Sequence, residues 1–103
     1  MKKKLVGVLG LGIFGRAVAR QLSQFDQDVI AVDMKENIVN EFGNIVTKAV
    51  LGDITDKNFL LAVGLDRCET VVVATGNNLE SSVLAILNCK KIVLFFRDIT
   101  KVA

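Results

Sequence analysis

The sequence contains no histidine, no tryptophan, no tyrosine and no proline, and it has only two cysteines. Without histidine the chain lacks the commonest general acid or base and every Ser-His or Cys-His nucleophile pair. An enzyme reading therefore starts at a disadvantage. Cys68 and Cys89 form no C-x-x-C pair and have no histidine to complement them, which excludes the common zinc patterns and suits free thiols in a reducing cytoplasm. There is no tryptophan or tyrosine to stack on bases, and the formal charge of +2 comes from interspersed Lys and Arg rather than a basic stripe. Nucleic acid is not an expected partner. No apolar run approaches the ~18 residues that would span a bilayer. A hydrophobic content of 51% then implies a soluble domain whose strands are buried on both faces. At 103 residues the chain is expected to be one domain, large enough for a single core and small for an enzyme with a separate substrate domain.

The N-terminus imitates a secretory signal, with Lys2 to Lys4 ahead of an apolar run and Ala17, Val18 and Ala19 at a cleavage-like position. Gly7, Gly10, Gly12 and Gly15 interrupt that run, and Arg16 precedes the supposed cleavage site. Cleavage would also remove the first strand of a coherent pattern, so secretion is not expected.

That pattern begins with the stretch Leu5 to Leu22, LVGVLGLGIFGRAVARQL, a short apolar strand turning through glycines into an amphipathic helix. Gly10, Gly12 and Gly15 fit the G-x-G-x-x-G dinucleotide fingerprint. Gly10 permits the tight turn, Gly12 lets backbone approach a pyrophosphate, and Gly15 lets the helix pack on the strand. Phosphates would meet the helix start, where free N–H groups and the positive end of the dipole favour anions. The next apolar segment, Asp28 to Asp33 (DVIAVD), ends in an acid 18 residues after Gly15, about where a ribose-binding carboxylate belongs. Such a carboxylate accepts hydrogen bonds from both adenosine ribose hydroxyls and repels the extra phosphate of NADP. The AMP half of NAD, ATP or ADP is the natural ligand. Asp33 also stands three residues before Glu36, so it fits equally the N-cap of a capping box.

The helix after the glycines is expected to place Phe14, Val18, Leu22 and Phe25 on one face, with Arg16 and Arg20 opposite. Arg20 reads as part of a solvated face, whereas Arg16, in the first turn, can reach a polyphosphate. A second helix over about Lys35 to Phe42 turns Ile38, Val39 and Phe42 inward and ends at Gly43. A third strand, about Thr47 to Leu51, runs into Gly52-Asp53-Ile54-Thr55-Asp56. There Asp53 and Ile54 either touch the adenine or lie in a turn whose Asp53 or Thr55 caps the helix Lys57 to Val63, closed by Gly64. The fourth strand, Thr70 to Thr75, leads to Ala74-Thr75-Gly76-Asn77-Asn78, whose small polar residues can line the crevice; Asn77 with Glu80 also fits a capping box. A last helix, about Leu79 to Lys91, carries a surplus apolar stripe including Leu84 and Cys89, which suits either a partner chain or a wide core face. A fifth strand over about Ile92 to Phe96 completes an α/β, Rossmann-like doubly wound parallel sheet of about five strands in the order 3-2-1-4-5.

The combination GLGIFGRAVARQL, VIAVD, LGDITD and VVVATGNNLES, over about residues 4 to 91, resembles the nucleotide-binding half (TrkA-N type) of the RCK domains, the regulators of potassium conductance, in Trk/Ktr potassium-uptake subunits. The resemblance implies a regulatory domain that binds NAD(H) or ATP/ADP without turning it over. It implies a homo-oligomer, a dimer or ring, acting in the cytoplasm at the inner face of the membrane on a potassium-translocating membrane subunit. The implied cofactor-binding set is Gly10, Gly12, Ile13, Phe14, Gly15, Arg16, Asp33, Met34, Asp53, Ile54, Ala74, Thr75, Gly76 and Asn77, with no catalytic and no metal-ligating residue. One departure stands out: the family's Gly-hydrophobic-Pro link before strand five is absent, and Lys90-Lys91 runs directly into IVLFFRDITKVA. The expectation is a truncated N-lobe over residues 1–103, without the crossover helix and C-terminal lobe of such subunits. The cofactor-binding fragment of an NAD-dependent dehydrogenase, or a vestigial Rossmann interaction domain, fits the same residues.

Overall fold

The computed structural model describes residues 3–74 and 93–95. Its elements are β1 (Leu5–Leu9), α1 (Ile13–Gln24), β2 (Asp28–Asp33), α2 (Glu36–Phe42), β3 (Lys48–Leu51), α3 (Lys57–Val63), a 3₁₀ turn (Leu65–Arg67), β4 (Thr70–Val73) and β5 (Val93–Phe95). The strands form one sheet in the order β3-β2-β1-β4-β5, every neighbouring pair parallel, as the alternation of strand and helix segments requires. The last helix, with Leu84 and Cys89, and the Asn77–Glu80 capping box lie outside the described residues.

Alternate residues of each inner strand enter two separate cores, which is why these segments read as continuous apolar runs. Leu9, Ile30, Val32, Val71 and Val73 pack with Ile54, Leu60, Val63, Leu65 and the buried Cys68 on the α3 side. Val6, Val8, Val29, Ala31 and Val72 pack with Leu11, Ala19, Phe42 and Val46 on the side of α1 and α2. Among the described residues the two edge strands are β5 and, opposite it, β3. There Thr47, expected to begin it, instead takes the Val29 N–H on its hydroxyl at 2.9 Å and donates to Asp28 at 3.2 Å.

The face that α1 turns inward differs from the sequence expectation. Gly15 and Ala19 are the buried positions, with Val18 and Leu22 half-buried beside them, while Phe14 is 37% and Phe25 61% exposed. The reason is distance. A Cβ on Gly15 would stand 2.0 Å from the Gly10 carbonyl oxygen, so the helix axis lies too near the sheet for a phenyl ring between them. Phe25 lies past the last helical residue as the C-cap. Arg20 lies on the solvated face expected of it, and there its guanidinium bonds Glu41 at 2.7 Å and stacks 4.9 Å from the centre of the Phe42 ring, tying α1 to α2. Both groups of that pair are about half exposed, so the tie contributes at most ~1 kcal/mol.

The turn after β3 corrects a second expectation. The N-cap of α3 is Asp56, whose carboxylate accepts the Phe59 N–H at 3.2 Å. Asp53 closes a tight turn of its own, accepting the Thr55 N–H at 2.8 Å and the Thr55 hydroxyl at 2.7 Å. Asp56→Ala is therefore expected to lower unfolding stability by about 1 kcal/mol, read as a lower urea midpoint at constant slope. An unchanged midpoint would show that the cap is idle.

Candidate functional site at the switch point of the sheet

The carboxyl ends of the strands converge where the chain leaves β1 toward β2 on one side and β4 turns away on the other, the place where doubly wound sheets bind ligands. Backbone bonds carry the ladder into the loops: Gly10 N–H donates to Val32 C=O at 2.8 Å, Ala74 N–H to Leu9 C=O at 2.7 Å and Gly52 N–H to Asp33 C=O at 3.1 Å. Between these loops an open cleft of about 190 Å³ is lined by Gly10, Leu11, Gly12, Asp33, Lys35, Ile38 and Ala74.

Its floor is the glycine loop. Gly10 has φ +96°, a left-handed conformation that a side chain would strain. Gly12 is the N-cap of α1 and is exposed. Among the described residues the start of α1 has neither a side-chain cap nor an acid against the positive end of its dipole. The carbonyl of Gly12 accepts the Arg16 N–H at 2.9 Å and, more weakly, Arg16 Nε at 3.4 Å, so the guanidinium lies folded over the first turn.

The wall is Asp33. Its Oδ2 accepts the Leu11 N–H at 2.7 Å and its Oδ1 accepts the Lys35 N–H at 2.8 Å. It does not cap α2, whose N-cap is Lys35 with no side-chain bond. The carboxylate therefore clasps the glycine loop to the β2–α2 turn. Two ionised oxygens offer about four acceptor sites. Two are used here, and the rest remain for hydroxyl donors.

Of the residues expected in the site, Gly10, Gly12, Asp33 and Ala74 meet in the cleft. Gly15 and Arg16 stand one turn behind, in α1. Ile13 is 78% and Met34 69% exposed, next in the chain to the floor and wall. Asp53 follows Gly52, which is bonded to Asp33, and the Thr55 hydroxyl and N–H together hold its carboxyl below the usual range. Ile54 is buried in the core on the α3 side. Thr75, Gly76 and Asn77 lie outside the described residues. Three lining residues escaped the sequence reading. Leu11 acts through its backbone N–H while its side chain is buried, Ile38 reads as an ordinary helix core position, and Lys35 follows Asp33 by two residues, the signal that was available.

With this geometry in view, residues 6–100 match the TrkA-N domain family. The chain belongs to that family. The TrkA-N chain is 40% identical over 90 residues to the Ktr system potassium uptake protein C of Bacillus subtilis, covering 87% of this chain and 41% of that protein. It is 37% identical over 92 residues to the Ktr system potassium uptake protein A of the same organism, covering 89% and 41%. The chain thus spans about two-fifths of the length of these relatives. In fold it is similar to the TrkA-N domain of the inner membrane protein ybaL from Escherichia coli, at a TM-score of 0.76 and 17% identity over 93% of this chain and 74% of that one. The GsuK channel bound to NAD is also similar in fold, at a TM-score of 0.76 and 13% identity over 93% of this chain and 18% of that one. Among the described residues no helix is long and apolar enough to cross a membrane.

Proposed function

We propose that this TrkA-N chain binds an adenine nucleotide, NAD(H) or ATP/ADP, and acts as a regulatory domain of a potassium uptake system. The observation that carries the reading is the Asp33 carboxylate, held by the Leu11 and Lys35 N–H groups beside the start of α1. A ribose needs a fixed acceptor and a phosphate needs N–H donors and a positive dipole end. Both stand here at the two ends of one cleft. In this reading Gly10, Gly12 and Arg16 take the phosphates, Asp33 takes the ribose hydroxyls, and Asp53 and the backbone of Ile54 border the adenine. Ala74 lines the far side, and Ile13, Phe14, Gly15 and Met34 frame the loop.

The nucleotide is a regulator and is not consumed; among the described residues the lining offers one carboxylate and one ammonium. The partner is a potassium-translocating membrane subunit, met at the cytoplasmic face by a homo-oligomer of the chain, a dimer or a ring. The names of the Ktr relatives, potassium uptake proteins, support the link to potassium uptake. A bound nucleotide can bias transport only through the difference in its affinity for two states of that assembly, typically ~1–3 kcal/mol.

Calorimetric titration of the chain with NAD, NADH, ADP and ATP tests the site directly, and Arg16→Ala tests its phosphate end. A guanidinium folded over the first turn of α1 is placed for the outer phosphates, so the variant is expected to weaken ATP about tenfold while AMP changes little. Equal losses for both ligands would remove Arg16 from phosphate binding, and no binding of any adenine nucleotide by the wild-type chain would overturn the nucleotide reading itself.

A further inference from the structure

We infer that Lys35 is a specificity-determining residue of the cleft, setting how strongly the site discriminates a free ribose 2′-hydroxyl from a 2′-phosphate; the inference rests on the nucleotide reading above. An acid at the end of β2 is ordinarily taken as sufficient to reject a 2′-phosphate by charge repulsion. In this cleft the acid does not stand alone. Lys35 lines the same wall, and its main chain is anchored to the carboxylate it follows, N–H to Oδ1 at 2.8 Å. That bond fixes the root of the side chain next to Asp33, within one lysine length of whatever the carboxylate holds.

The ammonium is available for that role. Among the described residues no carboxylate lies within ion-pair distance of it, whereas Lys3 and Arg20 are each paired. The side chain is exposed, and among the described residues the only other ionisable group lining the cleft is Asp33 itself. The wall therefore carries one negative and one positive charge. Both Asp33 oxygens already receive an N–H, which disperses part of the carboxylate charge away from the ribose. A 2′-phosphate brought to this position meets a carboxylate with hydrogen-bond donors on it and a free ammonium beside it. Repulsion is offset in part, and the discrimination is weaker than Asp33 by itself would impose. A nucleotide phosphate at contact with a surface ammonium is attracted strongly enough to move a ligand ratio severalfold.

The test measures the affinities of the whole chain for NAD and for NADP by calorimetry in the wild type, Lys35→Ala and Lys35→Glu. Both substitutions retain the backbone N–H that bonds Asp33, so the clasp stays intact, and NAD affinity reports that it has. The wild-type chain is expected to bind NAD better than NADP by a modest factor. The ratio of the two dissociation constants should widen severalfold in Lys35→Ala and about tenfold or more in Lys35→Glu, with NAD itself changing least. The excess loss for NADP should shrink as salt is raised, as for an exposed charge pair. A ratio unchanged in both variants, with NAD still bound, overturns the role of Lys35 and leaves the nucleotide reading standing. Failure of the wild-type chain to bind either dinucleotide or ATP overturns both.

Discussion

Gly15→Ala is expected to destabilise the chain by roughly 3 kcal/mol or more, enough to leave it largely unfolded at physiological temperature if its native stability lies at the low end of the usual range. Two effects oppose each other. Alanine in a helix interior is favoured over glycine by ~1 kcal/mol. Against this, the new methyl group would stand 2.0 Å from the Gly10 carbonyl oxygen, 3.0 Å from its carbon and 3.2 Å from the Ala74 Cβ. The first two neighbours are backbone of the glycine loop, which is itself pinned by the Gly10 N–H to Val32 bond at 2.8 Å, so they cannot swing aside as a side-chain end would. Relief requires α1 to lift from the sheet, which would open the packing of Ala19, Val18 and Leu22 against the strands. The steric term wins. Gly12 supplies the internal comparison: among the described residues a Cβ there meets only the Ala74 carbonyl oxygen, at 3.9 Å, and its φ of −71° suits any residue. Gly12→Ala should leave the urea midpoint within about 0.5 kcal/mol of wild type, while Gly15→Ala collapses it. Equal midpoints for the two variants would mean that the close approach of α1 to the loop carries no stability.

The same contact explains where sequence reasoning succeeded and where it failed. The sheet order and the strand identities were legible because DVIAVD and TVVV are apolar at consecutive positions, a pattern that only two-sided burial rewards, and because each is separated from the next by one helix-length segment. The glycine loop was legible because Gly10 and Gly15 answer separate geometric demands, a left-handed turn and a contact too short for a methyl group. The inward face of α1 was misread by the rule that large apolar residues mark the buried stripe. That rule weighs burial and ignores distance. Where a helix approaches a loop this closely, the buried stripe is the one with the smallest side chains, Gly15 and Ala19, and Phe14 is turned aside. The cap of α3 was misplaced for a related reason. Asp53, Thr55 and Asp56 are all competent cap residues, and only the path of the chain decides that Asp53 satisfies Thr55 and leaves the helix start to Asp56. In the cleft, Asp33 was visible as a residue type at a spacing. Its partners were not, since a backbone N–H such as that of Leu11 is present at every non-proline position and has no sequence signature.

Asp33→Ala is expected to weaken binding of every adenine nucleotide by ~1.5–3 kcal/mol, roughly tenfold or more. The carboxylate is asked to do two things at once. In the free chain it satisfies the Leu11 and Lys35 N–H groups, at 2.7 and 2.8 Å, and so holds the glycine loop against the β2–α2 turn. In the proposed complex its remaining acceptor sites take the ribose hydroxyls. Removing it therefore costs direct contacts and also loosens the loop that presents the phosphate donors, and the two costs are separable. Denaturation without nucleotide reads the clasp alone, where loss of an acceptor for a part-buried N–H costs about 1 kcal/mol or somewhat more. Titration with AMP, whose phosphate and ribose are both engaged, reads clasp and ribose contact together. Titration with inorganic pyrophosphate, which has no ribose, reads only the loop. If Asp33→Ala weakens AMP by tenfold or more and pyrophosphate by less than about threefold, the carboxylate acts mainly by contact with the sugar. If both ligands weaken by the same factor, Asp33 acts on the loop, and a group other than this acid recognises the ribose. Wild-type affinity for AMP in the variant would reduce Asp33 to a brace for the fold, and the strongest single support for a nucleotide in this cleft would be gone.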